Sequence, residues 1–550
     1  MPRKILSTRL PAAVLTLATA WVLSLSALAD NTWRFEGPDS PLPPRSFGFS
    51  GHVAFGPDGE VYYAYHSREF GGTDIYFMRS TDFGASWSAP VRVDTDPMGS
   101  NQSTVRGLLA SPEGDVYVVF TDFRDSGPGL ACRINVSRDR GATWLGADRP
   151  VYDGRFCGGN PRAALGPPGW IYVYCESSFV ASMDGRETWS PPIQLEPDGN
   201  PTAIAADRFG NVYYVAQTIS CTDDECRVDK LAFNVSNDGG QTWFDPPVLL
   251  ADLPYYINPQ IDCDDTGHVY VAWIGGTPDV TATAYVSVSD DFGASFSTPT
   301  PLEATPDNSV SNNPSLASDC AGNVYVAWAD VPTHFNVSHD YGRTWLSDPI
   351  VLEPHGSSRA FLAADDNEHV FVAYSSWRPS VEVWMNYSLD GGRTFLASDI
   401  LASLRSSEVD RFAVGGRGEV GVIYSTFGGQ LSTFLRLAHA DVGFRITSGD
   451  PRQTFVVVPP EGGTLPVEGL LRNQSTTTLA SVPAVLEAVA PDGSVIEVLA
   501  RKRFSIMPGG ERVRAIRPEV PGSLAPGLYR WRLSLLSPVN DRAFLCILKE

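Results

Sequence analysis

The sequence predicts an all-β protein, an eight-bladed β-propeller followed by an immunoglobulin-like β-sandwich, with seven blades as the alternative count. Three observations predict it. A turn motif recurs seven times at a spacing near fifty residues, and a buried-strand motif recurs eight times. The repeat pattern then stops near residue 446 and gives way to alternating strands. Gly 50 and Pro 43 add frequent punctuation, which favours short strands and turns over long helices.

The turn motif begins as Ser80-Thr-Asp82-Phe-Gly84-Ala-Ser86-Trp87. Its aspartates stand at 82, 139, 184, 238, 291, 340 and 390, with gaps of 45 to 57 residues. A period of this size points to a propeller or a solenoid. The carboxylate accepts backbone N–H bonds across a tight reversal, and the glycine supplies a positive φ. The third copy departs, its glycine standing at 185 rather than 186. The motif reads as a turn and not as a calcium loop, which needs carboxylates at alternate positions and a terminal Glu.

The strand motif has the form Gly59-Glu-Val-Tyr-Tyr-Ala-Tyr65, and returns as Gly322-Asn-Val-Tyr-Val-Ala-Trp328. After the leading glycine come β-branched and aromatic residues without polar alternation, the mark of a strand covered on both faces. The seventh copy, Glu368-His-Val-Phe-Val-Ala-Tyr374, lacks the glycine. Each repeat reads as four strands, and such units packed face to face around an axis make a propeller. The last repeat lacks the Asp turn, and Thr32-Trp-Arg-Phe35 is expected to supply its missing strand.

Residues 30–446 form the repeat region and 451–550 the sandwich. Alternating strands are expected at Thr454–Val458, Val485–Val489, Val495–Ala500, Arg512–Ile516 and Tyr529–Leu535. Residues 1–29 read as a secretory signal: Arg3, Lys4 and Arg9, then an apolar run ending Ala27-Leu-Ala29. The mature chain is therefore expected to be secreted or periplasmic, monomeric and not inserted in a membrane. Eight cysteines suit export. Cys221 pairs with Cys226 and Cys263 with Cys320 in this reading, and Cys546 is a buried free thiol. No CxxC pair is present, so neither a metal site nor a cofactor is expected.

Charge excludes some functions. Lys and Arg total 41 against 63 Asp and Glu, a net −22. A nucleic-acid binder carries a basic footprint, and an anionic membrane surface repels such a chain.

The pattern S-x-D-x-G-x-[ST]-[WF] is the Asp-box, and residues 47–445 resemble the sialidase superfamily of propellers. The resemblance implies an active face opposite the Asp turns, built from the starts of the innermost strands and the loops after the central ones. His52, Arg106, Arg162, Arg359 and Arg411 precede inner strands, whereas His66, Asp122, Glu176 and Asp330 follow central strands. Sialidases clamp a carboxylate with three arginines, a task suited to guanidinium forks. Arg162, Arg359 and Arg411 share one strand phase and are the candidates, with His66 beside them for substrate. Arg106 is one residue out of phase and is expected to point elsewhere. The family's tyrosine nucleophile, acidic partner and acid/base map onto Tyr424, Glu176, Asp122 and Asp410. The family's Arg-Ile-Pro signature is absent, and Arg45 is its nearest substitute.

The implied function is that of an exported glycan-active protein, a glycoside hydrolase acting on acidic sugars with a carbohydrate as its partner. Two alternatives stay open. One is a propeller-type lyase of uronate polysaccharides, in which His52, His66 and Arg162 could serve. The other is a non-catalytic glycan- or protein-binding scaffold, with Trp377 and Phe335 as aromatic surfaces for sugars.

Overall fold

The computed structural model describes residues 33–35, 40–41 and 51–549, apart from 68–71, 99–101, 124–130, 152–160, 176–177, 186–187, 196–198, 222–225, 252–255, 278–279, 304–311, 330, 377–380, 404–406, 417, 427–431, 441, 448–454, 466, 475–477, 491–493, 537–538 and 540. The described elements are all β-strands. Seven four-stranded antiparallel sheets span 52–92, 104–150, 162–194, 199–251, 256–301, 312–353 and 357–401, as propeller blades do. An eighth sheet spans 407–440 and takes its outer strand, Trp33–Phe35, from the start of the chain, with Trp33 opposite Ala440. The first strand of each sheet contacts the first strand of the next, and His52–Phe55 contacts Ser407–Val414. The ring of innermost strands is therefore closed.

The second strands are the buried ones. Val61–Ser67, Val116–Asp122, Val324–Ala329 and Val370–Ser376 are covered along their whole length. Both faces of each sheet meet a neighbouring sheet, so unbroken apolar runs replace alternation.

Asp turns close the third strands. Asp139 Oδ1 accepts from Ser137 Oγ at 2.7 Å and from the Thr143 N–H at 2.7 Å. Ser137 Oγ in turn accepts the Gly141 N–H at 2.8 Å. Burial opposes ionisation, but the bonds from Thr143 and Ser137 bring the Asp139 carboxyl down to about 2. Two successive residues take positive φ, Arg140 at 60° and Gly141 at 77°. Gly185 takes the first of these two places at 68°, which explains the shifted glycine of the third copy.

The remaining strands form two larger sheets, which enclose one apolar core, and a two-stranded pairing of Gly462–Thr464 with Glu519–Pro521. One joins Val442–Thr447, Val467–Asn473 and Glu511–Ile516, and the other joins Phe455–Val458, Asp541–Lys549, Gly527–Leu535, Leu479–Val489 and Val495–Ile506. Val442–Thr447, expected to end the repeat region, pairs with Val467–Asn473 instead.

The C-terminal unit is anchored to the sixth and seventh sheets. His369 lies between Asp365 Oδ2 at 2.9 Å and Asp541 Oδ1 at 3.0 Å. Glu368 binds Arg530 at 2.9 Å and Arg542 at 2.7 Å. A disulfide joins Cys320 to Cys546. The expected Cys263–Cys320 bridge is thus corrected: Cys263 is a free thiol and Cys546 is not. Cys320 turns toward the C-terminal unit because that unit docks on its turn. Of Cys221 and Cys226 the backbones pair with each other, while their side chains lie outside the described residues.

Candidate functional site

The innermost strands run from the ring's mouth to glycine turns, and the Asp turns pack against those glycine turns. The Arg140 N–H donates to Gly114 O at 3.2 Å, and the Tyr341 N–H donates to Gly322 O at 2.9 Å. Seven or eight residues at roughly 3.3 Å each put the start of an inner strand some 25 Å from that face.

At those starts lies a pocket of about 480 Å³. Its walls come from the first to fifth residues of seven innermost strands: His52, Thr104–Arg106, Arg162, Asn258 and Gln260, Pro314 and Ser315, Arg359–Phe361, and Arg411. One cavity touched by seven sheets sits at the axis of the ring.

Bulges aim several of these side chains. Val105 and Gly107 pair with consecutive residues of the next strand, leaving Arg106 as the extra residue. Ser358 and Arg359 lie in a second irregularity, and Asp410 in a third. A bulge breaks the period-two alternation and re-aims the side chain at that point. Arg106 accordingly faces the same pocket as Arg162, Arg359 and Arg411, against the phase expectation.

Burial first, and then the fields of neighbouring guanidiniums, lower the pKa values of Arg106, Arg162 and Arg411. Burial, then Arg106, lowers the Arg162 pKa. Burial lowers that of Arg411, opposed by Asp410 and assisted by Arg162 and Arg359. Burial and the fields of Arg411, Arg106 and Arg162 bring His52 down to about 3, so its imidazole is neutral among four cations.

Asp410 stands beside them. Burial pushes its carboxyl up to about 6, while the Ser425 hydroxyl bond, Arg359 and Arg411 pull it down. The Ser425 hydroxyl donates to Asp410 Oδ2. Glu408 supplies a second carboxylate, 3.8 Å from Arg359 Nε and accepting from Ser358 Oγ at 2.7 Å. Arg411 Nη1 donates to the Asp410 carbonyl at 2.8 Å. The buried Tyr63 ring is near enough to Asp410 for that carboxylate to raise its pKa, after burial and Tyr65.

The other expected site residues are placed elsewhere. Asp122 is fully buried 3.5 Å from Arg133, whose other nitrogen holds Asp148 at 2.9 Å. That ion pair, formed because Arg133 lies on the adjacent strand, keeps Asp122 out of the pocket wall. Tyr424 is buried and stacks on Phe434 with ring centres 5.5 Å apart. His66 is buried on the strand behind His52 and opposes Ile75. Phe335 is a core residue, packed edge-on against Phe395. Glu176, Asp330, Arg45 and Trp377 lie outside the described residues. Gln260, Asn258 and Glu408 escaped the sequence reading, because a strand start carries no signal of a bulge.

No protein-family model and no curated protein matches the chain. Among solved structures it is similar to an ulvan lyase bound to a glucuronate–sulfated rhamnose ligand, at 13% identity and TM-score 0.43, over 68% of this chain and 98% of that one. It is also similar to a leech intramolecular trans-sialidase, at 13% identity and TM-score 0.31, over 79% and 72%. A Streptococcus pneumoniae sialidase is similar at 12% identity and TM-score 0.30, over 76% and 72%.

Proposed function

We propose that this chain is an exported, monomeric eight-bladed Asp-box propeller with an immunoglobulin-like sandwich, and that its axial pocket binds an acidic sugar of a glycan. The observation that supports this most is the convergence of Arg106, Arg162, Arg359 and Arg411 on one cavity of about 480 Å³. Guanidinium forks suit carboxylate and sulfate oxygens. Asp410, with its carboxyl near 6, is the residue we assign as general acid in glycoside hydrolysis. Arg162, Arg359 and Arg411 hold the substrate's anion, and Glu408 is the second carboxylate within reach.

His52 favours a second reading, a uronate lyase. It is a neutral imidazole in the arginine pocket, the protonation state a base requires.

Incubation with a panel of sialylated and uronate-containing glycans tests both readings. Released reducing sugar without ultraviolet absorbance supports hydrolysis, and release accompanied by the absorbance of an unsaturated uronate supports elimination. Binding of acidic glycans without product supports the scaffold, and neither binding nor product overturns the assignment of the pocket.

A further inference from the structure

The C-terminal sandwich holds a cavity of its own, about 530 Å³ between its two sheets. Its floor is aliphatic, formed by Leu471, Leu486 and Leu533 of the buried core. Cavities of roughly 300–1,000 Å³ with apolar walls and a few polar groups are the usual form of a small-molecule site.

The mouth lies between Val495–Ile506 and Glu511–Ile516, and each is the last strand of its sheet. On the first of these, Ala500 and Phe504 pack against the core, and Lys502 takes the intervening position of the same face with its side chain exposed. Lys502 lines the cavity together with Arg503, which is fixed to the rim through Ser481 O at 3.0 Å. Lys502 and Arg503 are both exposed, so the two cations stand at the solvent rim of the aliphatic cavity and not inside it.

Charge and surface point the same way. In a chain of net −22, residues 451–550 carry 12 Arg and Lys against 9 Asp and Glu. Val495, Ile496, Val498 and Val513, on the two strands that flank the mouth, are exposed.

We infer that the sandwich binds a single-chain amphiphile with an anionic head, a long-chain fatty acid. The alkyl tail fills the space between the sheets, and the carboxylate meets Lys502 and Arg503 at the rim. The site is separate from the arginine pocket and does not depend on its function.

The test uses the full-length protein, stripped of lipid, titrated with palmitate, hexadecanol and acetate by calorimetry. Palmitate is expected to bind at one saturable site, with hexadecanol at least tenfold weaker and acetate not binding. Lys502→Glu and Ala484→Phe are each expected to weaken palmitate at least tenfold, while Arg411→Ala leaves it unchanged. Thermal unfolding identifies any variant that fails to fold, and Ala500→Phe at the rim then replaces Ala484→Phe. Absence of saturable palmitate binding overturns the inference, as does binding that survives both Lys502→Glu and a folded cavity-filling variant. If Lys502→Glu leaves palmitate bound but promotes aggregation, the lysine guards an open sheet edge and the inference fails.

Discussion

His369 Nε2 meets Asp541 Oδ1 at 3.0 Å across 172 residues of sequence, joining the seventh sheet to the last strand of the chain. Its other nitrogen meets Asp365 at 2.9 Å, and the Trp33 ring packs edge-on at 5.0 Å. One imidazole thus touches the first strand of the described chain, the seventh sheet and the C-terminal unit.

Burial alone would lower the His369 pKa, but the two carboxylates raise it to about 10. A group raised on folding contributes its stability fully below its unfolded value, near 6.5, and loses it as pH rises toward 10. Docking of the C-terminal unit is therefore expected to be strongest below about pH 6.5 and to weaken through alkaline pH. Differential scanning calorimetry across that range checks this, and His369→Gln is expected to flatten the dependence. His369→Ala, which leaves two buried carboxylates facing each other, is expected to cost about 3–5 kcal/mol.

Glu368 holds a φ of 64° at the place where the other seven strand motifs carry glycine. It accepts that strain while binding Arg530 and Arg542. Glu368→Ala is expected to lose both ion pairs and keep the strain, whereas Glu368→Gly relieves it. Denaturant unfolding should find the glycine variant more stable than the alanine one by about 1 kcal/mol.

In the axial pocket, Arg162→Ala and Arg359→Ala each remove a charge-assisted bond worth about 1.5–3 kcal/mol, so acidic-glycan affinity should fall roughly 10- to 100-fold. The general-acid role proposed for Asp410 requires the protonated form, and its carboxyl sits at about 6. Activity is expected to decline as pH rises through that value, and Asp410→Asn should abolish it while retaining glycan binding. A pH–rate profile with a parallel binding assay separates the two effects.

Asp139 serves its turn as an anion, with its carboxyl near 2. A lowered carboxyl contributes above its unfolded value, near 3.9, and loses that contribution as pH falls toward 2. Asp139→Ala is expected to cost about 1 kcal/mol at neutral pH and clearly less near pH 2, as read from urea unfolding at both.

Much of this architecture was legible in the residues alone. Apolar runs such as Val324-Tyr-Val-Ala-Trp328 announce strands covered on both faces, and the Ser–Asp–Gly spacing announces the turns that end the strands beside them. Both are local signals, set by side-chain period and backbone φ. Arg162, Arg359 and Arg411 were legible because each stands a nearly fixed distance before a recognisable turn. What only the tertiary structure decided is every relation that crosses sheets. A bulge carries Arg106 into the pocket, yet its sequence neighbours look like any strand start. Asp122 has the composition of a site residue, yet Arg133 from the adjacent strand claims it. Cys320 faces Cys546, and Glu368 replaces a glycine, because the C-terminal unit docks against those two turns. Burial and charge pairing are properties of position in space, and a linear period of fifty residues does not encode which blade meets which partner.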